Sequence, residues 1–393
     1  MKVSEKWLRV WIDTPLSADE LSTRMTMAGL EVDALTPVAG LFDGVVVARV
    51  LETRAHPKAD RLTLCRVDAD LPEILHVVCG ASNVRPGLIV ALAKPGANLP
   101  GDIFIQETHL RGELSQGMLC SAAELGFGSS AEGILELPED APIGTDLREY
   151  LHLDDQVFDI DLTPNRADCL SIHGVAREVG ALIDVQCQSF APKPVTGSVD
   201  VAIPNLLMSE PTRCPSIAIR VLQGINPHAT TPLWMEQRIR RCGLSTVHPV
   251  VDVLNYVMLE CGQPMHAYDL SLVSGEFRVR LAQSGESIAL LNTRRIDLNP
   301  MDLVIADDKN ALSLAGIMGG DSSSIQADSV NILLESAYFD PIGIAHTARR
   351  FNVSSDSSVR FERGVDPTLH VPALEYATQL LIDIMGGTAS TIR

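Results

Sequence analysis

Residues 251–270 read VDVLNYVMLECGQPMHAYDL. The run is apolar as far as Cys261, breaks at Gly262, and then presents Gln263, Pro264, Met265 and His266 in a row. A glycine followed by X-Pro does not sit inside a helix, and proline pushes the residue before it to an extended conformation. His266 therefore follows a rigid turn, and the backbone aims its imidazole. Read alone, it is best explained as a buried, hydrogen-bonded loop histidine. Two later stretches shift that balance: AGIMGG at 315–320, and LLESA at 333–337, which sets an acid in an apolar run.

Composition bounds what such a site can belong to. At 393 residues the chain exceeds one core and calls for several domains. Its 46% hydrophobic content and mean hydropathy of +0.15 indicate filled cores. No apolar run reaches the length of about 18 residues that a membrane span needs. The opening MKVSEKWLRVWID is charged and lacks an apolar signal core. Eight cysteines are scattered without a CxxC pair, so no metal site is expected and a reducing cytoplasm is. The formal charge of −19 argues against broad, nonspecific nucleic-acid binding, which needs clustered Lys and Arg.

Along the chain, residues 1–39 open with a short strand pattern at Trp7–Ile12. A capping box at Ser17–Glu20 follows, then a helix with Leu21 and Met25 at helical spacing, which Gly29 ends. Residues 40–151 alternate like short strands at 44–52, 62–68, 75–80 and 88–93 with turn residues between them, which suits a small barrel. Residues 152–195 hold LTPNRADCL (162–170) and a helix through 175–182, capped by Asn165 or Asp168; Asn165, Arg166 and Asp168 read as loop-bracing. This piece and residues 1–39 are each too small to stand alone, so they are expected to pack together, with 40–151 inserted between them. Residues 196–209 lie in a Pro-, Gly- and Ser-rich linker. In residues 210–393 a helix starts at Thr231-Pro232, strands run through 277–281, 287–291 and 303–306, and an amphipathic helix closes at Gly386. The fold class is multidomain α+β, with a β-barrel inserted in a small α/β domain and a larger mixed α/β domain after it.

In that last domain three sites can face one pocket: Asn255 with Gln263–His266, the glycines of 316–320, and Glu335. The glycines let backbone approach a ligand closely. Glu335 either faces solvent by strand alternation or is buried with a donor.

HPKADRL (56–62), VCGASN (78–83) and GMLCS (117–121) resemble the OB-fold tRNA-binding module of several tRNA synthetases. In that loop Pro57 and Asp60 would aim Lys58 and Arg61 at a phosphate. Residues 40–151 nonetheless carry 9 Lys and Arg against 16 Asp and Glu, a balance of −7. The chain as a whole resembles the β subunit of bacterial phenylalanine–tRNA ligase. The resemblance is carried in order by RMTMAGLEVD (24–33), HPKADRL, LTPNRADCL, TPLWM (231–235), VDVLNYVMLECGQPMHAYD, GIMGG, LLESAYF and RFERGVDP (360–367). Leu254, Ser245 and Ser357 depart from the family pattern.

The resemblance implies an N-terminal part of a subunit about twice this length. It implies an OB fold at 40–151 and, at 210–393, an editing domain of the B3/B4 type that hydrolyses mischarged Tyr-tRNA(Phe). His266 and Glu335 would do the work there. Asn255, Gln263, Pro264, Gly316, Gly319, Ser355 and Ser357 would shape the pocket. Aminoacylation, with ATP and Mg2+, would belong to the α subunit of an α2β2 heterotetramer; no cofactor is expected on this chain itself. The competing expectation is a non-catalytic scaffold that shelters tRNA, with a vestigial pocket.

Overall fold

The strand Asn331–Tyr338 runs NILLESAY, and its six central residues are all buried. A strand buried at every position needs cover on both faces. In the computed structural model, which describes residues 1–127 and 133–393, it has that cover. Ser216–Gln223 and Met265–Asp269 flank it, both antiparallel, and Thr388–Ala389 completes the sheet beyond Ser216–Gln223. Alternation sends Ile332 and Leu334 into one core with Ala218, Leu222 and Ala267. It sends Leu333 and Ala337 into a second core with Ile219, Val221 and Tyr268. The first core is closed by helices, among them Pro249–Cys261 and His370–Met385. The second is closed by a five-stranded sheet that includes Phe277–Leu281, Leu303–Ala306, Ala311–Leu314 and Met318–Gly319.

The helix Pro249–Cys261 takes Pro249 into its first turn and His248 Nδ1 as its cap. It ends at Gly262 in the left-handed conformation, φ 91°, so the chain turns there and re-emerges as the strand Met265–Asp269. Near its end Glu260, 2% exposed, accepts Trp7 Nε1 and Trp11 Nε1 on one oxygen, each at 3.1 Å, and the Tyr376 hydroxyl on the other at 2.8 Å. That carboxylate ties the first helix of the chain to two later ones.

Three local expectations are corrected. Trp7–Ile12 is not a strand: Glu5–Trp11 is a helix, capped by Ser4 accepting from Trp7 N and supported by Arg9 bonding Glu5 one turn back. Thr231 does not cap the next helix; its hydroxyl bonds Asp252 at 2.5 Å, and Leu233–Arg241 begins after Pro232 without a side-chain cap. Ser171, rather than Asn165 or Asp168, caps Ile172–Ile183. Arg166 instead braces the preceding turn by bonding Asp168 and Glu178.

Two units emerge from the packing: Met1–Leu35 with Phe158–Arg393, and Thr36–Val157. The sheets described above lie in the first, and Leu206–Met208 pairs there in parallel with Phe277–Leu281. The second is built on two long strands, Asp43–Ala55 and Ile89–Leu99, paired antiparallel in one sheet with Thr63–Asp68 and Leu75–Cys79. The molecule is thus mixed α and β, and among the described residues no helix is long and apolar enough to cross a membrane.

Candidate functional site

His266 and Glu335 are directly opposite each other on paired strands. Residues two apart on a strand share a face, so Tyr268 stands beside His266 and diagonal to Glu335. The Tyr268 hydroxyl donates to Glu335 Oε2 at 2.5 Å and lies 3.0 Å from Ser313 Oγ. The rings of His266 and Tyr268 meet edge to face at 4.6 Å. Backbone from the neighbouring sheet closes over the imidazole: a Cβ on Gly319 would fall inside van der Waals contact with Cε1 and Nε2 of His266. Gly316 has φ +69°, and a Cβ there would meet Phe339 and Ile344 at 2.8 Å.

These groups border a partly open cavity of about 50 Å³. Of the residues singled out from sequence, Pro264, His266, Gly316, Gly319, Glu335 and Ser357 line it. Gln263 stands behind it: fully buried, it donates through Nε2 to Pro264 O and Ala337 O, stapling the turn to the Glu335 strand. Ser355 also acts at one remove. It caps the helix Asp356–Arg363 and donates to Ile317 O at 2.6 Å, fixing the glycine loop. Asn255 is half-buried on its helix and is not among the lining residues, and neither is Leu254. Lys58 and Arg61 belong to the other unit, exposed on a loop that His56 braces by accepting Lys58 N at 3.0 Å.

Sequence reasoning passed over Tyr268 and Ser313, although the two-residue period of HAYD puts Tyr268 on the face of His266. The apolar lining of Met265, Met318, Phe339 and Phe361 comes from four separate segments, and no local spacing brings those together.

Burial sets the electrostatics. It pushes the Glu335 carboxyl up to about 7, against the pull of the Tyr268 hydroxyl toward the charged form. Burial holds the His266 imidazole down at about 4, so it is neutral at pH 7, and its Nε2 is buried with no hydrogen-bond partner among the described residues. Glu335 Oε1 likewise receives no hydrogen bond from a described residue. From two residues directly opposite each other the site therefore offers an imidazole nitrogen without a partner among the described residues and a carboxylate oxygen outside the Tyr268 bond, both able to hydrogen-bond a polar group.

Asp168, Cys169 and Glu178 converge elsewhere in the same unit with the spacing of metal donors. Arg166 fills their centre, bonding all three at 2.8–3.0 Å. With a guanidinium seated there and a thiol in the set, the cluster does not fit a hard cation such as Mg2+.

With this geometry in hand, comparison with known proteins is informative. Residues 213–386 match the family model of the B3/4 domain, and residues 45–146 that of a putative tRNA binding domain. The pairing marks a protein of the aminoacyl-tRNA synthetase class. The phenylalanine--tRNA ligase beta subunit of Legionella pneumophila (strain Lens) is 56% identical over 98% of this chain and 49% of its own length. That of Pectobacterium atrosepticum is 50% identical over 100% of this chain and 49% of its own. The chain belongs to the phenylalanine–tRNA ligase β-subunit family, and it spans about half the length of the curated relatives it matches. A solved N-terminal fragment of the phenylalanyl-tRNA synthetase β-subunit from Pyrococcus horikoshii is 14% identical over 50% of this chain and 62% of its own, at a TM-score of 0.29. That likeness is too slight to bear on the fold.

Proposed function

We propose that the chain is the part of a phenylalanine–tRNA ligase β subunit that carries an editing site, and that this site hydrolyses tyrosine wrongly attached to tRNA(Phe). The observation that carries the reading is the buried Glu335 carboxylate, with one oxygen left unspent at a cavity and His266 directly across from it. A hydrophobic pocket built for phenylalanine rejects tyrosine weakly, since tyrosine merely adds a hydroxyl. A second site can use that hydroxyl as its handle. Tyrosine's phenol would pair with Glu335, whereas phenylalanine would seal the carboxylate away unpaired at about 1–3 kcal/mol. His266, neutral and with a free Nε2, orients the ester or its attacking water; no general base is assigned. A benzene-sized ring needs a cavity of about 150 Å³, so at about 50 Å³ the ring enters as Met265 and Met318 shift.

In this reading residues 1–39 with 152–195 form a small α/β domain, 40–151 an OB-type barrel, 196–209 a connecting segment whose strand Leu206–Met208 joins the sheet of the last domain, and 210–393 the editing domain. Lys58 and Arg61 touch tRNA. The chain works in the cytoplasm within an α2β2 assembly, and the α subunit handles ATP and Mg2+ for aminoacylation. The test is release of tyrosine from Tyr-tRNA(Phe) by the full two-subunit enzyme carrying Glu335→Ala. Discrimination between tyrosine and phenylalanine should collapse, and unchanged discrimination ends the carboxylate's role. The small cavity favours one other reading, a scaffold with a vestigial pocket. It requires that the wild-type enzyme release no tyrosine at all.

A further inference from the structure

Tyr268 is fully buried between His266 and Phe277, with its ring edge to face with both. It is therefore held fixed behind the cavity lining and is not a plug that swings aside. Its single proton goes to Glu335 Oε2, so when Glu335 is charged the Ser313 hydroxyl must donate to Tyr268 in turn. Ser313 lies on the strand Ala311–Leu314 of the facing sheet, and it also lines the cavity. The result is a short relay of donors, Ser313 to Tyr268 to Glu335, ending on one oxygen of the carboxylate and leaving the other to the cavity.

We propose that Tyr268 is a positioning residue for hydroxyl recognition: by holding Oε2 it fixes the Glu335 carboxylate so that Oε1 alone is offered to an incoming phenol. This rests on the editing reading above. A carboxylate free to rotate presents either oxygen at a range of angles, whereas a pinned one presents a single lone-pair direction. The same bond favours the charged form, the form that accepts from a phenol and has no proton of its own to offer. Few other groups compete for this role. His266 and Tyr268 face Glu335 from the strand Met265–Asp269, and Cys214 from ahead of Ser216–Gln223, its thiol pushed up by burial and by Glu335. The facing sheet and the helix Asp356–Arg363 contribute Ser313, Ser357 and apolar or backbone groups at the cavity, none of which titrates.

The experiment is deacylation of Tyr-tRNA(Phe) by the full-length two-subunit enzyme as a function of pH, corrected for uncatalysed hydrolysis. Tyr268→Phe keeps the ring and removes the hydroxyl. The expected result is a pH midpoint raised by about one unit, and so a rate about fivefold lower at pH 7 that recovers in base. Ser313→Ala keeps Tyr268 and its packing intact and should move the midpoint the same way by less. An unchanged midpoint in Tyr268→Phe, with or without a lower rate, overturns the proposal, because a merely structural tyrosine lowers activity or melting temperature without displacing the profile. If Tyr268→Phe does not fold, the Ser313→Ala profile decides, and no displacement overturns it. Failure of the editing reading is visible separately, as a wild-type enzyme that releases tyrosine no faster than its Glu335→Ala variant.

Discussion

Two glutamates in this molecule are buried to nearly the same degree, Glu260 at 2% exposure and Glu335 at 5%, and they are opposite kinds of residue. Glu260 receives three hydrogen bonds, from Trp7, Trp11 and Tyr376, and both its oxygens are used. Among the described residues Glu335 receives one, from Tyr268, and neither glutamate has a cation as hydrogen-bond partner. The difference lies in what is left over. A carboxylate whose lone pairs are all met by its own chain is a structural joint. One left with an oxygen at a cavity remains able to bind something that arrives. Burial alone does not distinguish the two; a count of donors does.

The comparison can be broken most forcefully at Glu260. Glu260→Ala strands one buried and two half-buried donors at once, and the expected cost is about 3–5 kcal/mol, read as a large fall in melting temperature. An effect below about 1 kcal/mol would show that the joint is dispensable. Glu335→Gln keeps shape and burial, so folding should change little, while tyrosine release falls about tenfold or more. Comparable losses of stability in the two variants would erase the distinction. At Gly319 the added methyl of an alanine presses on the His266 ring and should cost about 1–3 kcal/mol along with editing activity. Thermal melts of Gly319→Ala with and without His266→Ala test the clash, because the double variant should regain part of the loss.

A subtler prediction concerns pH. The Glu335 carboxyl, raised from 4.5 to about 7, makes the folded state bind the extra proton, so its contribution is favourable at low pH and is lost as pH rises toward 7. The His266 imidazole, lowered from 6.5 to about 4, makes the unfolded state bind it, so its contribution is present above 6.5 and lost as pH falls toward 4. Between about 4.5 and 6.5 the two slopes oppose each other, and the wild type should respond weakly. Glu335→Gln should become more stable as pH rises through that window, and His266→Asn less stable. Parallel slopes in the two variants would falsify the opposed pair. The smallest effect is expected at Lys58, exposed on its loop. Lys58→Ala should leave stability within about 0.5 kcal/mol and weaken tRNA binding a few-fold, with a shallower salt dependence.

Much of the frame was legible in sequence because the signals were local. The capping box at Ser17–Glu20, the break at Gly262 and the strand around Glu335 each rest on neighbours in the chain. The Trp7 segment misled because its large apolar side chains fit either period, and the deciding cap, Ser4, lies just upstream. At the site, Pro264, His266, Gly316, Gly319, Glu335 and Ser357 are gathered as expected around one cavity. Gln263 and Ser355 stand one layer back, because the Gln263 Nε2 and the Ser355 hydroxyl are spent on backbone carbonyls and amides that the sequence cannot display. What stayed hidden was pairing. Whether Glu335 is a surface charge or a buried acceptor depends on which strand lies opposite it, and that is settled by register over a separation of 69 residues.

The middle position of the strand Asn331–Tyr338 carries one more consequence. Its amides are paired on both sides and its two faces are covered by separate cores. Amide hydrogens from Ile332 to Ala337 can be released only when the whole unit opens, so they should be among the slowest to exchange with solvent. The residue that would judge the substrate thus stands on the least yielding line of the molecule. Gradual loosening elsewhere would leave its aim unchanged, and warming should abolish discrimination abruptly, together with the fold.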